Sequence, residues 1–156
     1  MNLKNVIKQF EYYRPTSEKQ VLLKCEVPLE YLASGAFRNV YTVPGLPIVV
    51  KIPSNPGGRR HAQEEIRFIK DLMKNTLMRE RMQRYLPVTY YMNLKSGVSV
   101  AHKYSMLRDT SNNERMTQKV AQKVSDILEI GEWDSHVYNF GRDERGRGVV
   151  LDFGCM

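Results

Sequence analysis

The chain has 156 residues, 42% of them hydrophobic and 26% charged, which suits one domain or two small lobes and excludes disorder as the main state. A formal net charge of +7 favours acidic partners: nucleotide phosphates, nucleic acid or an acidic protein surface. Two cysteines, Cys25 and Cys155, are too few for a disulfide framework and stand in no metal-ligand spacing, so both are expected as free thiols. No apolar run is long enough to span a membrane, and no secretory signal follows the N-terminus, so a cytoplasmic location is expected.

Residues 3–13 read as a short helix with Val6, Ile7 and Phe10 on one side, ended by Pro15 and Ser17. Residues 20–52 read as strands: Val21, Leu22 and Leu23, then 29–32, 39–43 and 48–52, with a turn at 44–47. A flexible loop is expected over 54–59. The next helix runs from about residue 60 to 74, with Ile66, Phe68, Ile69, Leu72 and Met73 as its apolar stripe. A second helical piece covers 79–84, and two strands, 88–92 and 98–103, flank a turn at 93–97. Five strands with one helix inserted after the third make an α+β pattern. Ser111, Asn112 and Asn113 read as an N-cap for a helix reaching about residue 130, with Met116, Val120, Val124, Ile127 and Leu128 on its apolar face and Gly131 as its stop. A loop, a short hairpin at 143–148 and a final strand at 149–151 complete the chain.

Chemistry-bearing residues occur in a fixed order. Gly35, Ala36, Phe37, Arg38 and Val40 lie in a strand-turn-strand segment, Lys51 on the next strand, and Glu65 on the helix after it. Asp134, His136 and Asn139 follow, then Asp152, Phe153 and Gly154. Singly, each has an ordinary reading: Gly35 as a turn, Lys51 as a strand-end lysine, Asp134 and Asn139 as loop residues bonding their own turns. Glu64 competes with Glu65 until the spacing to Leu72 favours Glu65. The order and spacing carry the signal. From about residue 28 to 154 the set resembles the protein kinase family. Its signature is a Gly-rich loop, a Val-Ala-Ile-Lys strand, a helix glutamate, a catalytic loop with Asp and Asn, and Asp-Phe-Gly.

The resemblance implies a single kinase-like α+β domain over 1–156. A five-stranded antiparallel N-lobe with helix C would occupy about 1–103, and a much reduced helical C-lobe, ending after Asp-Phe-Gly, 104–156. It implies ATP and Mg²⁺ as cofactors. Lys51 would pair with the α- and β-phosphates, Glu65 would orient Lys51 by an ion pair, and Asp152 and Asn139 would hold magnesium. Asp134 would accept or orient the proton of the attacking hydroxyl, and His136, where the family has lysine, would contact the γ-phosphate. Gly35, Ala36, Phe37, Arg38 and Val40 would line the nucleotide.

Departures from the family pattern qualify this. Only the middle loop glycine, Gly35, is kept; Ala33 and Arg38 replace the first and third, and Arg38 would add positive charge over the nucleotide. Glu132 and Trp133 replace the His-Arg pair before the catalytic aspartate, which removes the receiver for a phosphorylated activation loop; Trp133 is expected in the core. Only Cys155 and Met156 follow Gly154, so the activation segment and later helices are expected to be missing. Their loss should bare the apolar side of helix 112–130 and favour a homodimer or a partner protein there.

The leading expectation is therefore a minimal ATP-dependent kinase for protein Ser or Thr hydroxyls, similar to compact kinases that bacteriophages encode to modify host proteins, and working in the host cytoplasm if so encoded. The basic helix 78–84 or the N-terminal helix would recruit its substrate. The alternative is a pseudokinase that binds and inhibits or masks a protein partner, with or without nucleotide. A nucleic-acid-binding module would use the +7 charge with Tyr85, Tyr90 and Tyr91, but no helix-turn-helix, zinc or RNA-binding signature accompanies them. A small-molecule phosphotransferase shares the Asp-x-His-x-x-Asn spacing but needs a larger helical lobe to enclose its acceptor.

Overall fold

The computed structural model describes residues 1–12, 17–133 and 135–153. The chain divides into two compact units, Met1–Phe68 with Val88–Lys103, and Ile69–Pro87 with Tyr104–Met156. The sequence expectation divides the chain near 103. Residues 69–87, assigned there to the first lobe, group with the second unit.

The first unit contains α1 (Leu3–Tyr12), α2 (Glu18–Lys24), β1 (Glu30–Ser34), β2 (Arg38–Thr42), β3 (Ile48–Pro53), β4 (Thr89–Met92), β5 (Ser99–His102) and the start of α3 (Pro56–Lys74). Its five strands form one sheet in the order β1-β2-β3-β5-β4, and every neighbouring pair is antiparallel. With α3 inserted between the third and fourth strands, this is the α+β build that the kinase-like motif order implies.

Alternation along β3 decides what each sheet face does. Ile48, Val50 and Ile52 point to one side, where they join Tyr41, Val98 and Val100 in a core with Val6 and Phe10 of α1 and Val21 of α2. Val49, Lys51 and Pro53 point to the other. Cross-strand partners share a face, so Val40, Lys51 and Ser99, which stand opposite one another on β2, β3 and β5, lie on that second face together.

In this unit two assignments differ most from expectation, and both differences come from capping. Val21, Leu22 and Leu23 belong to a helix, not a strand. Ser17 caps α2 by accepting a hydrogen bond from the Gln20 N–H at 3.2 Å, and Glu18 in the first turn and Lys24 in the last suit the helix dipole. The Glu18 carboxylate also accepts from Asn39 Nδ2 at 2.6 Å and Tyr41 Oη at 3.2 Å, which ties α2 to β2. Helix α3 begins at Pro56, inside the segment expected as a loop. Asn55 Oδ1 accepts from the Gly58 N–H at 2.7 Å, and proline at the first helical position loses no hydrogen bond.

The second unit holds α4 (Thr76–Met82), β6 (Ser105–Met106), α5 (Ser111–Leu128), a 3-10 turn (Val137–Asn139), β7 (Phe140–Arg142) and β8 (Gly148–Val150). The three short strands form an antiparallel ribbon in the order β6-β7-β8, of which β6 was not anticipated. Thr110 rather than Ser111 caps α5, accepting from the Asn113 N–H at 3.2 Å. The helix ends at Glu129, whose left-handed φ of 54° turns the chain before Gly131 is reached.

The apolar face of α5 is covered within its own unit. Val120, Ala121 and Val124 are buried, and α5 packs against α4, β8 and the 3-10 turn. Trp133 lies half-buried there, donating from Nε1 to the Ala121 carbonyl at 3.3 Å and stacking on Phe140 at 5.6 Å. The helix side expected to be bare is thus covered at Val120 and Val124, while Met116 and Ile127 are half-buried. No helix among the described residues is long and apolar enough to cross a membrane.

Candidate functional site

The candidate residues fall into two groups, one in each unit. In the first, the Gly35 N–H donates to the Arg38 carbonyl at 2.9 Å and closes the β1–β2 hairpin. Ala36 and Phe37 form its exposed tip. The Phe37 ring stacks on His61 of α3, with centroids 4.2 Å apart and planes 19° from parallel. Its carbonyl accepts from Ser54 N at 3.1 Å and Ser54 Oγ at 3.0 Å. Gly58 in the first turn of α3 lies against that carbonyl so closely that a Cβ would collide with it. The tip is therefore fastened to the start of α3 by a ring contact and a close backbone approach, and to Ser54 just before that helix by two hydrogen bonds.

Lys51 and Val40 are half-buried opposite one another on β3 and β2. Arg38, two residues before Val40 on the uninterrupted β2, projects to the same face as Lys51. Arg38 and Glu65 are 6% and 7% exposed, whereas Glu64 is exposed. The guanidinium donates twice, Nη1 to Glu65 Oε1 at 2.8 Å and Nη2 to Glu65 Oε2 at 3.0 Å. Arg38, expected to add positive charge over a nucleotide, reaches into α3. Glu65, expected to orient Lys51, accepts from Arg38 at both of its oxygens. The planar guanidinium fork matches a carboxylate as a lysine ammonium does not. No sequence signal marks this pairing, because nothing in a 27-residue separation specifies which arginine reaches which carboxylate.

In the second unit, the Leu151 N–H donates to the Asn139 carbonyl at 2.7 Å, next to the β7–β8 pairing of Phe140 with Val150. The backbone of Asp152, the residue after Leu151, therefore passes close to Asn139, and both side chains are half-buried. Buried neighbours Val137, Phe140 and Phe153 anchor the backbone on either side. His136 is exposed and caps the 3-10 turn, its Nδ1 accepting from the Tyr138 N–H at 3.4 Å and its ring 4.5 Å from that of Tyr138. Asp134, the expected proton acceptor, and Gly154 of the Asp-Phe-Gly motif lie outside the described residues.

The amide oxygen of Asn139 and the carboxylate of Asp152 are hard oxygen donors, the set that suits Mg²⁺, which keeps waters and phosphate oxygens for its other positions. Among the described residues no cluster of three or more His, Cys, Asp or Glu offers a transition-metal site.

Burial, and next the charge and hydrogen bond of Glu18, push the Tyr41 phenol up to about 12. Asp143 lies at the β7–β8 turn. Its slight desolvation works upward, but the N–H groups of Arg147 and Arg145 and the Arg147 guanidinium together hold its carboxyl below the ordinary value.

No known protein-family profile matches the chain, and no curated protein sequence matches it. Among solved structures, the chain is similar to ADP-bound aminoglycoside phosphotransferase APH(2'')-Ib, with 17% identity and a TM-score of 0.43, over 74% of this chain and 40% of that one. It is also similar to APH(2'')-IIa in its ternary complex with streptomycin and ATP, with 18% identity and a TM-score of 0.39, over 74% of this chain and 39% of that one. The chain spans about two-fifths of the length of these proteins.

Proposed function

We propose that the chain transfers the γ-phosphoryl group of ATP to a hydroxyl, with a protein Ser or Thr side chain as acceptor. The observation that supports this reading is the Leu151–Asn139 backbone bond, which brings the chain segments that carry Asn139 and Asp152 together within one unit. A turn and a strand end so joined are what a phosphate-bound magnesium ion needs from a protein.

Lys51 binds the α- and β-phosphate oxygens and offsets their charge, while Glu65, held in α3, fixes the charge pattern on that face of the sheet. Gly35, Ala36, Phe37 and Val40 border the nucleotide. Asn139 and Asp152 would hold Mg²⁺, which supplies neutralisation of the charge that builds on the leaving phosphate oxygens. The acceptor oxygen forms its bond to the γ-phosphorus as the bond from that phosphorus to the bridging oxygen breaks. ADP leaves with the electron pair of that bond, and the hydroxyl proton passes to the Asp134 carboxylate. His136 contacts the γ-phosphate.

The test is transfer of labelled γ-phosphate from Mg-ATP in a cell lysate, comparing wild type with Lys51→Ala and Asp134→Asn. Label on lysate proteins or on the chain itself should fall about 100-fold or more in Asp134→Asn. Labelling unchanged by either substitution, or none from the wild type, overturns the reading.

One observation favours a second reading, a binding module that retains the kinase-like build and masks a protein partner. Arg38, in place of a loop glycine, forms a buried clamp with Glu65 that ties β2 to α3. Under this reading wild type shows no label transfer, and a partner protein co-purifies with Lys51→Ala as well as with wild type.

A further inference from the structure

The position of Arg38 in the sequence puts a side chain where a phosphate-binding loop ordinarily has glycine, and the structure gives that side chain a different task. Its guanidinium is buried, engages both oxygens of a buried carboxylate, and leaves β2 from the face that also carries Lys51. Glu65 lies on α3 one turn beyond Ala62 and beside Ile66, both buried, so the helix presents this side to the interior of its unit. We propose that Arg38 is a positioning residue. By holding the Glu65 carboxylate over the Lys51 face of the sheet, it locks α3 to β2 in one arrangement, rather than contributing charge to the nucleotide.

Three features support a lock over a chance surface pair. The pair is bidentate, and a bidentate guanidinium fixes the direction of a carboxylate as well as its distance. It is buried on both sides, so removing either partner takes a charge-assisted contact out of a site with little access to water. It is also next in sequence to a second fastening, where Phe37, one residue before β2, meets Ser54 and, on α3, Gly58 and His61. Adjacent residues of the hairpin, Phe37 and Arg38, thus grip α3 at its first turns and near its middle. A kinase-like helix that must swing to complete its site would be poorly served by two such attachments. One set permanently in place would be well served.

The proposal rests on the phosphoryl-transfer reading for its catalytic consequence, so the experiment separates the two. Wild type, Arg38→Lys, Arg38→Met and the double variant Arg38→Met with Glu65→Leu are compared by Mg-ATP turnover and by hydrogen exchange of the α3 amides at 59–68. In Arg38→Met that retains its far-ultraviolet circular dichroism, kcat should fall about 10- to 100-fold while KM for ATP changes less than about threefold, as for misplacement of a catalytic group. Arg38→Lys should recover part of that loss. A rise in KM at unchanged kcat would instead make Arg38 a nucleotide contact and overturn the proposal. If wild type shows no turnover, the functional reading fails, and hydrogen exchange decides the lock. Exchange should then quicken in α3 of Arg38→Met while β3 and β5 stay protected, and the apolar double variant should restore slow exchange. Unchanged α3 exchange, or a uniform loss across the sheet and helix, overturns the lock as well.

Discussion

In the first unit the candidate side chains sit on regular elements, Arg38 on β2, Lys51 on β3 and Glu65 on the 19-residue α3. In the second, His136 and Asn139 belong to one 3-10 turn, and Asp152 follows a three-residue strand. The first group is placed by a sheet whose inner face is a continuous apolar core. The second is placed by a few anchors, Val137, Phe140 and Phe153, and by single backbone bonds such as Leu151 to Asn139. Groups held by long packed elements resist local opening, whereas groups on short ribbons depend on individual contacts. Under the proposed phosphoryl transfer, Lys51 would meet phosphate from a stiff frame, and Asn139 and Asp152 would hold metal from a smaller frame fixed by fewer contacts.

The largest expected effect pits a glycine of one unit against a glycine of the other. A Cβ at Gly58 would collide with the Phe37 carbonyl, a backbone atom already held by two bonds from Ser54. Gly58→Ala should therefore cost about 3 kcal/mol, the upper range for overpacking against atoms that cannot yield. A Cβ at Gly148 would meet Met116 Sδ at 2.5 Å and Val120 Cγ2 at 2.8 Å, side-chain atoms rather than backbone. The methionine can turn aside but the buried, β-branched Val120 can only shift with α5, so Gly148→Ala should cost about 2 kcal/mol. Urea midpoints at constant slope measure both. A larger loss in Gly148→Ala would reverse the comparison and make the short ribbon the less forgiving frame.

What the sequence makes legible cuts across the two units. β3 was readable because Ile48 to Ile52 combines β-branched residues with a turn on its N-terminal side. The five-strand order around an inserted helix was readable from the spacing of such runs. The three residues Val21, Leu22 and Leu23 were not, since so short an apolar run has no period to separate helix from strand. The deciding signal was polar: Ser17 as cap and Glu18 behind it. The start of α3 was hidden because Pro56, Gly57 and Gly58 have loop composition, and only the Asn55 cap shows that they are helical. β6, at two residues, is made by pairing with β7 rather than by its own propensity. At the site, residue order identified which side chains carry chemistry but not their partners. The Arg38–Glu65 clamp is a product of β2 register and α3 packing together, neither of which a motif contains.

A middle-sized effect tests whether the stiffness of the first unit extends to its N-terminal helices. Tyr41, on the core face of β2, has its phenol raised to about 12 by burial and then by Glu18 of α2. Of the nine tyrosines, Tyr41 should ionise about two units above the ordinary value of 10.0 when phenolate absorbance is followed with pH. The fold favours the protonated phenol, so its contribution is complete below the ordinary value and is lost as pH rises through about 12. Glu18→Gln should lower the late step without abolishing it, since burial is the larger cause. A titration with no late step would mean that α2 does not stay seated on β2 in solution.

The smallest effect lies in the turn that carries the second unit's ribbon. Asp143 Oδ1 accepts from the N–H groups of Arg145 at 2.9 Å and Arg147 at 2.8 Å, and Oδ2 meets Arg147 Nε at 2.9 Å. These contacts outweigh a desolvation that acts the other way and hold the carboxyl below 3.8. A depressed folded value means stability that is present above the unfolded value and lost as pH falls through the folded one. Asp143→Asn keeps an oxygen for the two N–H groups but removes the charge facing Arg147. At neutral pH it should cost about 0.5 kcal/mol, the scale of a solvent-screened pair. The gap from wild type should shrink below about pH 4, as the wild-type carboxyl takes up its proton, and should narrow in high salt. A gap that persists unchanged into strong acid would place the stabilisation in turn geometry rather than charge. The short ribbon would then be held, like the longer sheet, by shape alone.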